Sequence, residues 1–265
     1  MHRTTAAEVT RAAAAAAIER VFEQYLMPIS FAEPVYALHV AINDIDPADS
    51  PIWYEEGRIV AAALLGVRGR RGWVGGFGVA PPERGRGLGG ALLADVLERA
   101  RARGLETLAL EALVQNERAL QTYRSGGFRA SRRLRSFAVA AGAVARVSAE
   151  APYTAAQPLL DAPDAVVPCW QREPASLHNQ GALHAVGDAR AFCVFRHNAE
   201  SAQLLKVHAA NAPELATLAA SVIAHTGAAT LELINEPVDS ALSAAAGELG
   251  WRIIFEQHEM TRDVA

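Results

Sequence analysis

Trp73-Val74-Gly75-Gly76-Phe77-Gly78-Val79-Ala80-Pro81-Pro82-Glu83-Arg84-Gly85-Arg86-Gly87-Leu88-Gly89-Gly90 is the stretch on which the reading of this 265-residue chain turns. Its first part, Trp73 to Val79, has the apolar and aromatic content of a strand, yet three glycines weaken it. Glycines inside a strand mark a bulge or a close approach of another backbone. Its last part opens a helix: Leu88, Leu92, Val96 and Ala100 recur at helical spacing, Arg99, Arg101 and Arg103 gather at the far end, and Gly104 is the stop. Between strand and helix lies a glycine-rich turn. Free N–H groups of a first helical turn face outward with the positive end of the helix dipole, and glycines let a ligand reach them. A turn of this kind holds phosphate oxygens, and Arg84 and Arg86 add formal positive charge.

Toward the N-terminus, the strand-like runs Ile52–Tyr54, Ile59–Val67 and Trp73–Val79 are separated by Glu55–Arg58 and Arg68–Gly72. Connections so short demand antiparallel hairpins. Before them, Ala12–Ala17 runs into Ile18-Glu19-Arg20 as a first helix, and Met27–Ser50 carries loop signals around a second helix or covering loop. Beyond the Leu88 helix the spacing predicts a strand over Thr107–Val114, a helix over Asn116–Ser125 stopped by Gly126-Gly127, and a closing hairpin over Phe128–Val139. Ala140–Val167, rich in Ala, Pro and Asp, reads as a connector containing one helix. The same order then returns. Strands are expected at Ala182–Val186, Ala191–Arg196 and Ala202–His208, a helix at Pro213–His225, a strand at Thr230–Ile234, a helix at Ser240–Leu249, and strands within Arg252–Arg262. The expected fold class is α/β (α+β): a mixed, mostly antiparallel sheet flanked by helices, in two tandem copies at 1–140 and 141–265.

The pattern (Gln/Arg)-x-x-Gly-x-(Gly/Ala), filled here by Arg84, Gly87 and Gly89, resembles the pyrophosphate-binding signature of the GNAT acyltransferases. The likeness runs from about Ile52 to Ala140 and takes in Leu108-Ala109-Leu110-Glu111, Asn116, Tyr123 and Gly127-Phe128. It implies an N-acetyltransferase that moves an acetyl group from acetyl-CoA to a primary amine by direct attack in a ternary complex. The implied acetyl-CoA site comprises Phe77, Gly78, Val79, Arg84, Gly85, Arg86, Gly87, Leu88, Gly89, Gly90, Asn116 and Tyr123. Pantetheine would pair with the backbone of Phe77 and Val79 as an added strand, Asn116 would contact its arm, and Tyr123 would protonate the departing thiolate. Glu111 is the candidate base for the amine. Seven residues, nearly two helical turns, put Asn116 and Tyr123 on one helix face. Taken singly, Asn116 also fits a plain N-cap, Tyr123 a core aromatic, Glu111 an ordered edge charge and His39 a packed histidine.

Other classes are weaker. Gly85-x-Gly87-x-x-Gly90, with Glu111 about 20 residues on, also satisfies the dinucleotide fingerprint. Pro81–Arg84 and the antiparallel hairpins argue against it, because that fold leads a parallel strand directly into its first glycine. A sensor that binds acyl-CoA without turnover is the alternative of a different class, and Tyr123 favours the enzyme. Arg124, Arg129, Arg132, Arg133 and Arg135 have no interleaved aromatics beyond Phe128 and Phe137, and the net charge is −4, so nucleic acid is not an expected partner. No stretch approaches the roughly 18 apolar residues of a membrane span. Cys169 and Cys193 form no metal or disulfide framework, so no metal is expected and a reduced, cytoplasmic setting fits.

Residues 1–140 hold 18 Arg and no Lys against 15 acidic residues, net +3, whereas 141–265 carry net −7. The first half is therefore the host for an anionic ligand. The turn Ala209–Pro213 has neither glycine nor arginine, so the second half is expected to keep the fold without the chemistry. Packing, walling the amine cleft and a homodimer contact are the tasks left to it. The resemblance implies that the acceptor, a small-molecule or peptide amine, is chosen by Met27–Ser50 and the last hairpin, and Asp44, Asp46 and Asp49 of the former offer charge to a cationic amine.

Overall fold

Strand β1 (His2–Thr5) opens the chain in the computed structural model, which describes residues 1–27, 29–144 and 151–264. The middle of the expected connector therefore lies outside the described residues. The chain divides into two compact units, Met1–Ser131 with Glu259–Ala265, and Arg132–His258. The division falls at Ser131 and not at Ala140, and the C-terminal residues belong with the first unit. Sequence patterning missed this because residues 128–139 read as a closing hairpin and 252–262 as several strands, whereas each folds as one long strand, β6 (Arg129–Ala140) and β12 (Arg252–Asp263).

In the first unit, β1 is followed by α1 (Arg11–Phe22), α2 (Glu33–Ile42), β2 (Pro51–Glu55), β3 (Arg58–Arg68), β4 (Arg71–Val79), α3 (Leu88–Ala102), β5 (Thr107–Leu113) and α4 (Glu117–Ser125). The alanine run forms α1, capped by the Thr10 side chain accepting from Ala13 N. The sheet order is β1-β2-β3-β4-β5 with the end of β12 beyond β5. β1 to β4 are antiparallel as the short connections required, and β4 pairs with β5 in parallel. One core packs α3 (Leu92, Leu93, Val96) on β5 (Leu108, Leu110, Ala112), with Leu120 and Tyr123 of α4 and Met260 and Val264 of the C-terminus. Alternation along β5 sends Leu108, Leu110 and Ala112 to this face and Glu111 to the opposite one. β1 escaped the sequence reading because His2-Arg3-Thr4-Thr5 has no apolar alternation.

The second unit contains β6, β7 (Tyr153–Thr154), α5 (Gln157–Leu160), α6 (Pro174–His178), β8 (His184–Gly187), β9 (Phe192–His197), β10 (Ser201–His208), α7 (Ala212–Thr226), β11 (Thr230–Pro237), α8 (Ala241–Glu248) and most of β12. Its strand order is β6-β11-β10-β9-β8-β7, antiparallel except for the β10–β11 pair. Leu215, Leu218 and Val222 of α7, Leu231 and Leu233 of β11, and Trp251 form its core. β8-β9-β10-α7-β11-α8 repeats β2-β3-β4-α3-β5-α4, the two tandem copies read from the sequence. Both cysteines are buried free thiols. Among the described residues no helix is long and apolar enough to cross a membrane, and no three His, Cys, Asp or Glu side chains are grouped to hold a metal.

Candidate functional site

A short 3-10 turn, Pro81–Glu83, leads from β4 into the glycine turn, and Gly85 and Gly87 adopt φ of 88° and 79°. These left-handed values suit glycine, and a Cβ added at either position would meet nothing within 4 Å, so the space beside the turn is open. Gly87 is the N-cap of α3, with no side-chain cap and no acidic residue in the first turn. The N–H groups of Leu88, Gly89 and Gly90 therefore begin a helix without an internal acceptor, the arrangement that accepts an anion.

The two arginines of the turn are not free cations. Arg86 pairs with Glu55 at 2.7 Å and with Glu83, and these carboxylates raise its pKa. Arg84 spends its guanidinium on backbone carbonyls: Val79 O at 3.1 Å, Glu23 O at 2.9 Å and Val21 O at 3.5 Å. It ties the end of α1 to the end of β4. Burial lowers its pKa, and the exposed Arg118 on the first turn of α4 lowers it further. The sequence reading passed over Arg118, although its place two residues after Asn116 was a usable signal.

β4 and β5 pair only through Arg71–Trp73 and Thr107–Ala109, after which they part. From Gly75 to Val79, β4 remains hydrogen-bonded to β3 alone among the described pairings. The register steps at Leu64/Leu65, where Gly76 and Val74 are successive partners, which makes Gly75 a bulge residue. Its carbonyl accepts from His39 Nε2 at 3.0 Å, while His39 Nδ1 accepts from Asn43 Nδ2 at 3.3 Å. Both ring nitrogens are thus engaged in the neutral form, and burial lowers the His39 pKa. Gly78 serves packing, since a Cβ there would lie 2.9 Å from Val21 Cβ of α1. Phe77 and Val79 line the core face beside Tyr123.

Tyr123 is buried, its ring 5.5 Å from Phe77 and 6.1 Å from Phe128. Burial pushes its phenol far above the ordinary range, and Tyr25 nearby pushes it further. Asn116 caps α4, its Oδ1 accepting from Ala119 N at 3.2 Å, so the N-cap reading holds. Its amide also reaches the Tyr25 hydroxyl and partly offsets the upward push of burial there. Tyr25 had no signal of its own, lying between the first helix and the Met27–Ser50 segment. Glu111 accepts from Trp73 Nε1 at 2.8 Å on the face of β5 away from Tyr123. Asp44, Asp46 and Asp49 are paired with Arg68 and Arg103, so the charge expected for a cationic amine is already met. Arg133 and Arg135 of the basic cluster both pair with Glu256.

An open glycine turn at an uncapped helix thus lies beside a strand that leaves its neighbour, with helix N–H groups placed to donate to an anion. Residues 16–128 match the acetyltransferase (GNAT) family model. No curated protein matches the chain in sequence. Among solved structures, a tandem GNAT protein from the clavulanic acid biosynthesis pathway is similar over 100% of this chain and 98% of its own, at TM-score 0.67 and 16% identity. A putative acetyltransferase from Pyrococcus horikoshii is similar over 99% and 88%, at TM-score 0.68 and 13% identity. A GCN5-related N-acetyltransferase from Sphaerobacter thermophilus is similar over 99% and 95%, at TM-score 0.68 and 16% identity. At such identities the likeness is one of fold, and the fold is the tandem GNAT fold. The family supports acyl-CoA-dependent N-acyl transfer as the general activity. The dinucleotide alternative falls with the fold, as β4 is antiparallel to β3.

Proposed function

We propose that the first unit transfers an acetyl group from acetyl-CoA to a primary amine of a small molecule or peptide by direct attack. The observation that carries this reading is the uncapped start of α3 at Gly87, next to the parting of β4 from β5. Phosphate oxygens would accept from the N–H groups of Gly85 to Gly90, with Arg118 as the nearby exposed cation, while Arg84 and Arg86 shape the turn. The pantetheine arm would lie along Phe77–Val79. A neutral amine attacks the thioester carbonyl, the new C–N bond forms as the C–S bond breaks, and the thiolate takes a proton from Tyr123. The proton lost by the amine leaves toward Glu111 and solvent. Glu111, held by Trp73, would act from the acceptor face. Opposite placement of Glu111 and Tyr123 about β5 suits two proton transfers in opposite senses.

The test is a panel of amines with acetyl-CoA, reading free thiol and acetylated product. Product should form with at least one acceptor. Measurable CoA binding without turnover on any amine would replace the enzyme by an acyl-CoA sensor.

A further inference from the structure

We propose that His39 is a positioning residue for acyl transfer: by holding the Gly75 carbonyl it fixes where the acyl-CoA arm aligns along β4, so that the Phe77 N–H meets the thioester oxygen. The inference rests on the transfer reaction above. The hydrogen-bond parity of β4 is fixed at its end. Ala80 N donates to Val60 O of β3 at 2.9 Å, and the register pairs Leu64 with Gly76, Ala63 with Phe77, Ala62 with Gly78 and Ala61 with Val79. In an antiparallel pair alternate residues turn both polar groups toward the partner strand, so Gly76 and Gly78 face β3 whereas Phe77 and Val79 face the opening. The planar peptide between Gly75 and Gly76 then points the Gly75 carbonyl away from β3 as well. The edge of the opening carries, in order, Gly75 C=O, Phe77 N–H, Phe77 C=O, Val79 N–H and Val79 C=O.

The two outer carbonyls are already spent. Val79 O accepts from Arg84 Nε at 3.1 Å, and Gly75 O accepts from His39 Nε2 at 3.0 Å. The imidazole is held for this bond. Asn43 Nδ2 donates to His39 O at 3.0 Å and to Nδ1 at 3.3 Å, which leaves the ring hydrogen on Nε2. Phe31 meets the ring edge-on at 5.5 Å, and Trp73, tied to Glu111 at 2.8 Å, lies 5.8 Å away. Among the described residues no other strand or side chain takes the three inner groups, so the opening presents a donor, an acceptor and a donor. An acyl-CoA arm offers the complement from its acyl end: thioester carbonyl, cysteamine N–H and β-alanyl carbonyl. A free Gly75 carbonyl would compete for the cysteamine N–H and let the arm slip. It would also place a second lone-pair oxygen beside the one on which charge develops. With His39 on it, the register that gives the thioester oxygen to Phe77 N–H is the one left. His39 exchanges no proton with the substrate.

Acetyl-CoA isotope-labelled at the thioester carbonyl, bound without an amine, should show its infrared carbonyl band at lower frequency in wild-type protein than in His39→Leu, which removes the donor. His39→Gln, which restores an N–H donor, should return the band toward the wild-type position. In step with the band, kcat should fall about 10-fold or more in His39→Leu and about threefold or less in His39→Gln, while the acetyl-CoA dissociation constant stays within about threefold. One measurement needs no variant to fold: in wild-type protein with labelled glycine carbonyls, the Gly75 resonance should stay in place on acetyl-CoA binding while the Phe77 amide proton moves downfield. A Gly75 carbonyl that takes up a bond to the ligand, a band equal in wild type and His39→Leu, or an unchanged kcat in folded His39→Leu would each overturn the assignment. Wild-type protein that binds acetyl-CoA yet acetylates no amine would defeat the transfer reading alone, since the band and the resonance still report the register. Absence of acetyl-CoA binding would overturn both.

Discussion

The same bulge in the two units has met two different fates. In β4 the bulge residue Gly75 offers its carbonyl to His39, and the opening toward β5 continues past it. In β10 the register steps at Leu204/Lys206, and the bulge residue Leu205 offers its carbonyl to Arg172 Nε at 3.0 Å. β10 and β11 also stop pairing, after Leu204 and Leu233, but Arg172 reaches across the gap to Ile234 O at 3.5 Å and to the Glu236 carboxylate. The guanidinium staples shut what a histidine leaves open. Lys206, the single lysine of the chain, draws residues 160–164 onto the same strand through Leu160 O at 3.0 Å and Asp164 at 3.1 Å.

The helix starts differ in the same sense. α3 begins at an uncapped glycine, whereas α7 is capped by Asn211, whose side chain accepts from Glu214 N at 3.0 Å, while Glu214 accepts from Ala210 N at 2.8 Å. This reciprocal pair puts a carboxylate where a phosphate would bind. The corresponding helix thus starts with an open cap in one unit and a filled cap in the other.

The comparison breaks most sharply at Gly87. Gly87→Val places a branched side chain at φ 79° and into the open space of the turn, and should weaken CoA binding by more than about 10²-fold in a folded protein. Calorimetry should find one CoA per wild-type chain and none for the variant. Residual tight binding would mean the second unit holds a site of its own.

Arg172→Ala should come next, leaving the Glu236 carboxylate, 4% exposed, without its partner. A cost of about 3–5 kcal/mol is expected in chemical denaturation. Arg172→Met with Glu236→Met should recover most of it, and CoA stoichiometry should stay at one because α7 remains capped. A small loss for the single variant would show that the staple is not what closes the second unit.

Arg86→Ala should weaken CoA binding less than about 10-fold, since its charge is already matched by Glu55 and Glu83, whereas Arg118→Ala should weaken it more. The reverse ranking in a binding titration would restore Arg86 as the phosphate cation.

The smallest expected effect concerns His39. Burial lowers its pKa from the usual 6.5, so the folded form stays neutral where the unfolded chain takes up a proton. Stability is therefore full above that value and falls as pH drops through it. The thermal midpoint should decline between about pH 7 and pH 5.5, and His39→Gln should flatten part of the slope. His184 of the second unit, lowered by burial and by His197, keeps a slope of the same sign. An unaltered slope in His39→Gln would remove His39 from the account.

The turn, α3, and the Asn116 and Tyr123 spacing were legible because local residues specify them: glycines for left-handed φ, a cap for a helix start, a period for a face. Glu111 could be placed on β5 but not opposite Tyr123, because its direction follows from strand alternation within a packed sheet. Arg84 and Arg86 read as free cations because, beside the nearby Val79 and Glu83, their partners at Val21, Glu23 and Glu55 are distant in sequence. For the same reason the bond from His39 to Gly75 O gave no sign of itself, although a packed histidine was among the expected readings.

By itself the sequence determined the order of most elements, their repetition and the glycine turn, since propensity, periodicity and backbone strain act over a few residues. Only the tertiary structure decided where one unit ends and the next begins, which charges are spent, and which strand opening is filled. Those depend on strands β6 and β12 crossing the boundary and on side chains meeting from far along the chain, where burial makes each polar group find a partner.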